Sequence, residues 1–275
     1  MKKAAGIIIL SAVLLGGSGI NRNRPGANRA VKWIDHISVS ARDPSPLFDF
    51  FYTVLDLPVS WPVKNHVYIK TGGIFTGNAT LEIVRYPLDV FRGCSGFSGL
   101  VFGSYTGLDY SCRILDERKI DHTIIVPFTW FSVTGIKELF RNNWAVTICE
   151  FSTNLESHEK KVKQTLAENR GGPLGIRGID EITVGLENFP VKYGKWTNFL
   201  CPVTEQNGIF VFEYGPSLRL LPYSEDKILA VRFKVHSLSL AREFLRSRKM
   251  LGHEEKEYVT IGSDLLSGLD LRLGE

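Results

Sequence analysis

The run Trp33-Ile34-Asp35-His36-Ile37-Ser38-Val39 returns, altered, as Gly178-Ile179-Asp180-Glu181-Ile182-Thr183-Val184. A motif written twice constrains a chain more than its composition does, because the same local structure must form in both places. Both copies are β-branched runs of strand length. Each leads into an aromatic-bearing stretch at helical spacing, Leu47 to Val54 in the first and Val191 to Leu200 in the second. The copies differ most usefully at one position, where His36 becomes Glu181.

The pattern around each copy extends the repeat. After Trp33 to Ser40, Asp43-Pro44-Ser45-Pro46 reads as a helix start, with a side-chain cap and proline in the first turn. Val59 to Pro62, His66 to Lys70 and Thr80 to Arg85 then read as strands, punctuated by Gly72-Gly73 and Gly77-Asn78. A second unit follows: strand Leu100 to Ser104, helix Gly107 to Arg118, strands Thr123 to Pro127 and Trp144 to Phe151, with a less regular aromatic insert at 128–143. A charged helix is expected over Asn154 to Arg170. The third unit runs from Ile176 to Tyr223, with strands at Gly208 to Tyr214 and Ser217 to Leu221. The fourth starts at Ile228, with a helix at Leu238 to Arg248 and strands at Tyr258 to Ile261 and Gly268 to Leu273. The reading is an α+β chain of four βαβββ modules in two pairs.

At 275 residues, 44% hydrophobic and 23% charged, the chain has ordinary globular composition. Its net charge of +4 is scattered, without the concentrated basic face that nucleic-acid binding requires. Lys2-Lys3, the apolar run Ala4 to Leu15 and Gly16-Gly17-Ser18-Gly19 read as an export leader. The apolar run is short of the ~20 residues of a spanning helix. Residues 1–19 are thus a signal peptide or N-terminal anchor and 20–31 a tether, so a periplasmic or secreted location is expected, with membrane contact only through an uncleaved leader. The domains follow as 32–153 and 176–275, joined by a helical linker at 154–175. Cys94, Cys112, Cys149 and Cys201 read first as small buried hydrophobes, and Cys112 with Cys149 is the best disulfide pair if the helix packs on that strand face.

Ile34-Asp35-His36-Ile37, Phe50-Phe51 through Leu57-Pro58, Asn78-Ala79-Thr80-Leu81-Glu82-Ile83 and Cys149-Glu150-Phe151 together resemble the vicinal oxygen chelate superfamily. That group includes glyoxalase I, the extradiol dioxygenases and the bleomycin- and fosfomycin-resistance proteins. Ile179-Asp180-Glu181-Ile182 and Ala241-Arg242-Glu243-Phe244-Leu245 continue the likeness, which covers nearly everything from residue 32 onward and is nearest to two-domain glyoxalase-like proteins.

The resemblance implies two cup-shaped domains, each from two βαβββ modules, with a divalent metal (Fe, Mn, Zn or Ni) on a concave face. Carried over by position, the metal ligands are His36, Glu82 and Glu150. The fourth equivalent falls near Ser98-Gly99-Leu100, which offers no usual ligand; His66 or His122 could replace it by a local shift. One imidazole and two carboxylates leave open positions for a chelating substrate. A carboxylate amid apolar neighbours needs a partner in any case, whether a metal, an arginine or His36 itself. Glu82 or Glu150, if free of the metal, would be the general base. In the second domain Glu181 meets Arg219, Ala230 takes the place of a ligand and only Asp270 keeps a carboxylate, so an ion pair rather than a metal is expected there.

The implied function is a metal-dependent enzyme of lyase, isomerase or dioxygenase type acting on a small substrate with vicinal oxygens. Glyoxalase I itself is disfavoured by export. The alternatives are a non-catalytic binding protein, with Trp61, Tyr68, Trp130 and Trp144 lining its pocket, and an envelope scaffold. Either a monomer or a homodimer is compatible with four modules in one chain.

Overall fold

The computed structural model describes residues 28–66, 69–86, 96–140, 145–152 and 156–275. The leader, most of the tether, Tyr68, Cys94 and Trp144 lie outside the described residues. Within them, no helix is long and apolar enough to cross a membrane.

Four modules follow one another in the same order. The first is β1 (Val31–Ser40), α1 (Pro44–Asp49) running on as a π-helical turn (Phe50–Val54), β2 (Val59–Asn65), β3 (Lys70–Phe75) and β4 (Thr80–Arg85). The second is β5 (Gly96–Ser104), α2 (Leu108–Glu117), β6 (Val126–Pro127), β7 (Phe131–Gly135) and β8 (Val146–Phe151). After the linker helix α3 (Glu156–Glu168) come β9 (Ile176–Leu186), α4 (Phe189–Leu200), β10 (Thr204–Gln206), β11 (Ile209–Val211) and β12 (Ser217–Pro222). The last is β13 (Lys227–Val235), α5 (Leu238–Ser247), β14 (Leu251–Glu254), β15 (Val259–Ile261) and β16 (Leu271–Gly274).

The modules pair into two eight-stranded sheets of identical topology, β2-β3-β4-β1-β5-β8-β7-β6 and β10-β11-β12-β9-β13-β16-β15-β14. In each, the first and last strands of a module run parallel, and the two modules meet through an antiparallel pair of first strands. This is the expected α+β architecture of paired βαβββ modules.

Alternation separates the two faces of each sheet. In the first, Ile37, Val39, Leu81, Ile83, Leu100, Phe102, Val146 and Ile148 are all buried in the core beneath the helices. Their neighbours His36, Ser38, Thr80, Glu82, Thr147 and Cys149 lie on the other, cup face. The helix start is as read, with Asp43 capping α1 by accepting from Ser45 N at 3.2 Å.

Three expectations are corrected. The strand placed at His66 to Lys70 is β3 at Lys70–Phe75, so Gly72-Gly73 lies inside a strand instead of a turn. Both glycines are there for lack of space: a Cβ on Gly72 would meet Phe48 and Val63 within 2.9 Å, and one on Gly73 would meet the Trp61 ring within 2.7 Å. The regions around 128–143, 204–206 and 251–254 hold short strands that alternation does not reveal; β10 is fully exposed and has no apolar face to show. Cys112 and Cys149 are free thiols. Cys149 points into the cup while α2 covers the opposite face, so no disulfide geometry exists. Of the three described cysteines only Cys149 is buried; Cys201 is exposed.

The two domains share one continuous core. Phe102 of β5 packs edge-on against Phe199 of α4, with ring centroids 5.4 Å apart, and Trp196 donates its indole N–H to Leu139 O at 3.1 Å. Asn78 acts as a two-pronged clamp: its amide accepts from Ile179 N and donates to Ile179 O, both at 2.8 Å. Replacing Asn78 by alanine removes both bonds and leaves two partly buried backbone groups unsatisfied, so unfolding free energy should fall by roughly 1–3 kcal/mol. Urea denaturation of Asn78→Ala beside wild type measures this, and an unchanged midpoint would show that water replaces the clamp.

Candidate functional site

The site starts from a β-bulge. Ile34 sits opposite Phe102 and His36 opposite Val101, so β1 takes two residues where β5 takes one, and Asp35 is the extra residue. A bulge re-aims side chains that strict alternation would send to opposite faces. Here it brings Asp35 and His36 together, with Asp35 Oδ2 at 2.8 Å from His36 Nδ1. The second domain repeats the device: Ile179 faces Phe233 and Glu181 faces Arg232, with Asp180 as the extra residue.

Glu82 comes from the neighbouring parallel strand, where it pairs with Ser38. Its carboxylate accepts from Ser38 Oγ at 3.1 Å and from Thr71 Oγ1 at 2.9 Å, and its Oε2 lies 3.5 Å from His36 Nε2. The imidazole therefore lies between two carboxylates, with only 12% of its side chain exposed. Burial by itself drives the imidazole down, but the hydrogen bonds and charges of Asp35 and Glu82 overturn that and push it up to about 10. Burial drives the Glu82 carboxyl up; His36, Thr71 and Ser38 outweigh it and hold it below the usual range. Tyr86 is pushed above its ordinary value by burial and by the Glu82 charge, against hydrogen bonds with Ser38 and Ser98, so it stays a neutral phenol. Trp61 meets the His36 ring edge-on at 6.1 Å, lying across the space that Gly73 leaves open.

A third donor is within reach. The ligand atoms of Asp35, His36 and Cys149 all lie within 4.8 Å of one another. Burial, and then the charges of Asp35 and Glu82, push the Cys149 thiol well up, so in the metal-free protein it is neutral.

Glu150 is elsewhere. It shares a face with Val146 and Ile148, as strand alternation indicates, but that face is the core beneath the helices and not the cup. Its carboxylate accepts from Leu108 N at 2.9 Å, at the start of α2, whose N-cap Gly107 has no side chain to do so. The last module confirms this as a structural device. Cys149 faces Gly103 and Gly274 faces Lys234, which makes Glu275 the equivalent of Glu150, and Glu275 accepts from Leu238 N at the start of α5 at 2.6 Å. A carboxylate at a helix N-terminus satisfies an orphan N–H and opposes the helix dipole. Sequence reasoning misses Cys149, one residue away, although its alternation opposite Val146 and Ile148 is the available signal.

The remaining candidates fall outside the cluster. His122 contacts Asp116 and Thr123 O, and Trp130 is exposed at the β6–β7 turn. At the β5 position, His36 faces Val101 and Ser38 faces Gly99, which supply no donor.

In the second cup arginines stand where ligands would. Arg219 grips Glu181 through Nε at 2.9 Å and Nη2 at 2.8 Å, the ion pair expected from the sequence. The residue opposite Glu181 is Arg232 rather than Ala230, and Arg232 holds Asp180 with Nε at 2.9 Å. Arg272 holds Asp270 at 2.7 Å.

The first cup suits a divalent cation. The 3.5 Å separation of His36 Nε2 and Glu82 Oε2 is the edge expected for two ligands with bonds of ~2.0–2.2 Å. Asp35 behind Nδ1 is the partner that a ligating histidine normally has. Cys149 lies within 4.8 Å of the Asp35–His36 pair, while the β5 position contributes nothing.

Neither a family model nor a characterised protein sequence matches the chain. Solved structures do. A hypothetical protein from Staphylococcus aureus matches with a TM-score of 0.60 at 10% identity, covering 88% of this chain and 98% of that one. An extradiol ring-cleaving dioxygenase from B. fuscum matches with a TM-score of 0.59 at 10% identity, over 90% of this chain and 72% of its own. A 4-hydroxymandelate synthase variant from Streptomyces coelicolor matches with a TM-score of 0.59 at 12% identity, over 89% and 92%. With the sheet order and the paired modules described above, these likenesses give the chain its fold: it is a vicinal oxygen chelate fold with two cups in one polypeptide.

Proposed function

We propose that the first cup is the working site of an enzyme that holds one divalent metal ion through His36 and Glu82, with the remaining positions left to substrate and solvent. Its substrate would be a small molecule presenting two neighbouring oxygens, and its chemistry of dioxygenase type. The observation that carries this is the pair His36 Nε2 and Glu82 Oε2, 3.5 Å apart on one cup floor with Asp35 fixed behind the imidazole. The structural neighbours, dioxygenases among them, support the reaction class.

When bound, the ion supplies Lewis-acid polarisation of the substrate oxygens. The chain supplies the rest. Asp35 accepts from Nδ1 and so selects the tautomer whose Nε2 lone pair faces Glu82. Ser38 and Thr71 hold both oxygens of Glu82 in place. Glu82 is held below the usual carboxyl range first by His36 and then by Thr71 and Ser38, which keeps it anionic and a poor base. Tyr86 keeps its proton and can donate a hydrogen bond to a substrate oxygen. Trp61 presents an aromatic wall against which a planar substrate can lie.

A second reading, a cup that binds a small molecule without chemistry, is favoured by the closure of the charge network: His36, protonated between Asp35 and Glu82, already satisfies both carboxylates. Export to the periplasm or exterior remains part of the proposal, supported by the sequence of residues 1–19, and N-terminal sequencing of the mature chain tests it.

Metal analysis separates the two readings. After equilibration with Fe(II), Mn(II), Zn(II) or Ni(II) in turn, wild type should retain about one ion per chain of at least one metal, and His36→Ala and Glu82→Ala should retain none. Glu150→Ala should keep the metal and lose ~1 kcal/mol of stability as a missing helix cap. Failure of wild type to retain any of the four metals would leave the binding-protein reading.

The metal-free protein should also reveal the His36 network through pH. Because His36 is raised in the folded state, its stabilisation is complete below 6.5, its ordinary value, and is lost as pH rises through about 10. Glu82 is lowered, so its stabilisation is present above its ordinary value of 4.5 and is lost as pH falls below it. The stability gap between wild type and His36→Gln should therefore be widest between about pH 5 and 6.5 and narrow towards pH 10. Chemical denaturation across that range measures it, and a gap independent of pH would mean that the imidazole is neutral throughout.

A further inference from the structure

Away from both cups, α3, the loop at 171–175 and the start of α5 border an open groove of about 780 Å³ that also touches Phe75 and Gly77 of the first domain. Its floor is apolar: Leu166, Leu174 and Ile176 are buried there, and Leu240, 64% exposed, forms part of the rim. The polar part of the lining has one sign. Lys163, Arg170 and Arg177 line it beside His236, and among the described residues no aspartate or glutamate does. Among the described residues, Arg170 and Arg177 have no ion-pair partner, while Lys163 is held by Glu159. Glu275 accepts from the Leu238 N–H at the start of α5.

The loop is built to keep this surface close. Gly171, Gly172 and Gly175 all have φ between +65° and +76°, and a Cβ on Gly172 would lie 2.0 Å from Leu55 O. The turn therefore folds down against the first domain and leaves a trough beside α3, with Leu174 buried beneath it.

We infer that this groove is a binding site for a small amphipathic anion, a carboxylate or phosphate head on an apolar body. Its volume falls in the range of small-molecule sites, which are mostly apolar with a few polar groups that fix orientation. The cations provide the charge complement for the head, and the exposed side chain of Leu240, above the buried Leu166, takes the body. The site is separate from the metal proposal and stands or falls without it.

Titration calorimetry of the chain with hexanoate, octanoate and decanoate, each below its micelle concentration, tests this against the corresponding alcohols. Saturable one-site binding is expected, strengthening roughly fourfold per methylene, weaker by at least about tenfold for the alcohols, and weakening with added salt. The double variant Arg170→Glu/Arg177→Glu should weaken decanoate by about tenfold or more, and Leu240→Asp, a surface change, should also weaken it. His36→Ala should leave it unchanged. The inference is overturned if decanol binds as well as decanoate, if charge reversal has no effect, or if His36→Ala abolishes binding, which would place the anion in the first cup. It is also overturned if sedimentation shows the wild-type chain self-associating and the charge-reversed chain not, because a second copy would then occupy the groove.

Discussion

The antiparallel pairing of β1 with β5 is the constraint on which the first cup depends. It joins two modules into one eight-stranded sheet, and its register decides which residues look into the cup and which into the core. A shift of one residue would exchange the two faces, sending Ile37 and Val39 to the cup and His36 to the helices. The large buried set beneath the helices makes such a shift very costly, so the apolar core effectively fixes the polar site. The bulge at Asp35 is one of three register shifts along that pairing, and the one that lies at the site. It places a carboxylate beside His36 without disturbing the apolar residues on either side.

The repeat shows how one backbone carries two electrostatic solutions. Bulge, register and strand order recur in the second cup, and so does the glutamate that caps a helix from the end of the last strand. What differs is the chemistry at matching positions. Glu181 replaces His36, Arg219 replaces Glu82 and Arg232 replaces Val101, and each carboxylate there is held by its own guanidinium. Such fork-shaped donors suit carboxylates geometrically and cannot give up their charge. The second cup is thus closed by fixed positive charges, whereas the first is closed by a group that can lose its proton.

Much of this architecture is legible in the amino-acid sequence. The duplicated Ile-Asp-His/Glu-Ile motif, the capped start of α1 and the turn signals set out the module order, and position along the repeat singles out His36 with Glu82. What the sequence hides shares one physical cause. Alternation tells which residues share a face, but not which face is inside the cup, and in β8 the apolar pair Val146 and Ile148 belongs to the helix-covered side. Glu150 goes with them, while Cys149, which reads as a small hydrophobe, looks into the cup. Gly72-Gly73 is ambiguous for a related reason, because glycine marks both turns and places where Phe48 and Trp61 need the space of a side chain. The bulges are not legible at all, since they are a relation between two strands and leave no trace in either one alone.

The charge balance of the first cup gives the strongest reason to expect a cation there. Among the described residues no lysine or arginine pairs with Asp35 or Glu82; both rely on His36. With the imidazole protonated, two carboxylates share one positive charge. With it neutral, they share none, and an uncompensated buried charge is strongly unfavourable. A divalent ion between Nε2 and Glu82 would replace the proton's charge and add one unit, leaving Asp35 to hold Nδ1–H. Proton and metal would thus compete for one position. Arginine in place of Glu82 would abolish that competition, as Arg219 does in the sister cup, whereas a titratable histidine between two acids leaves the first cup a position that either a proton or a cation would fill.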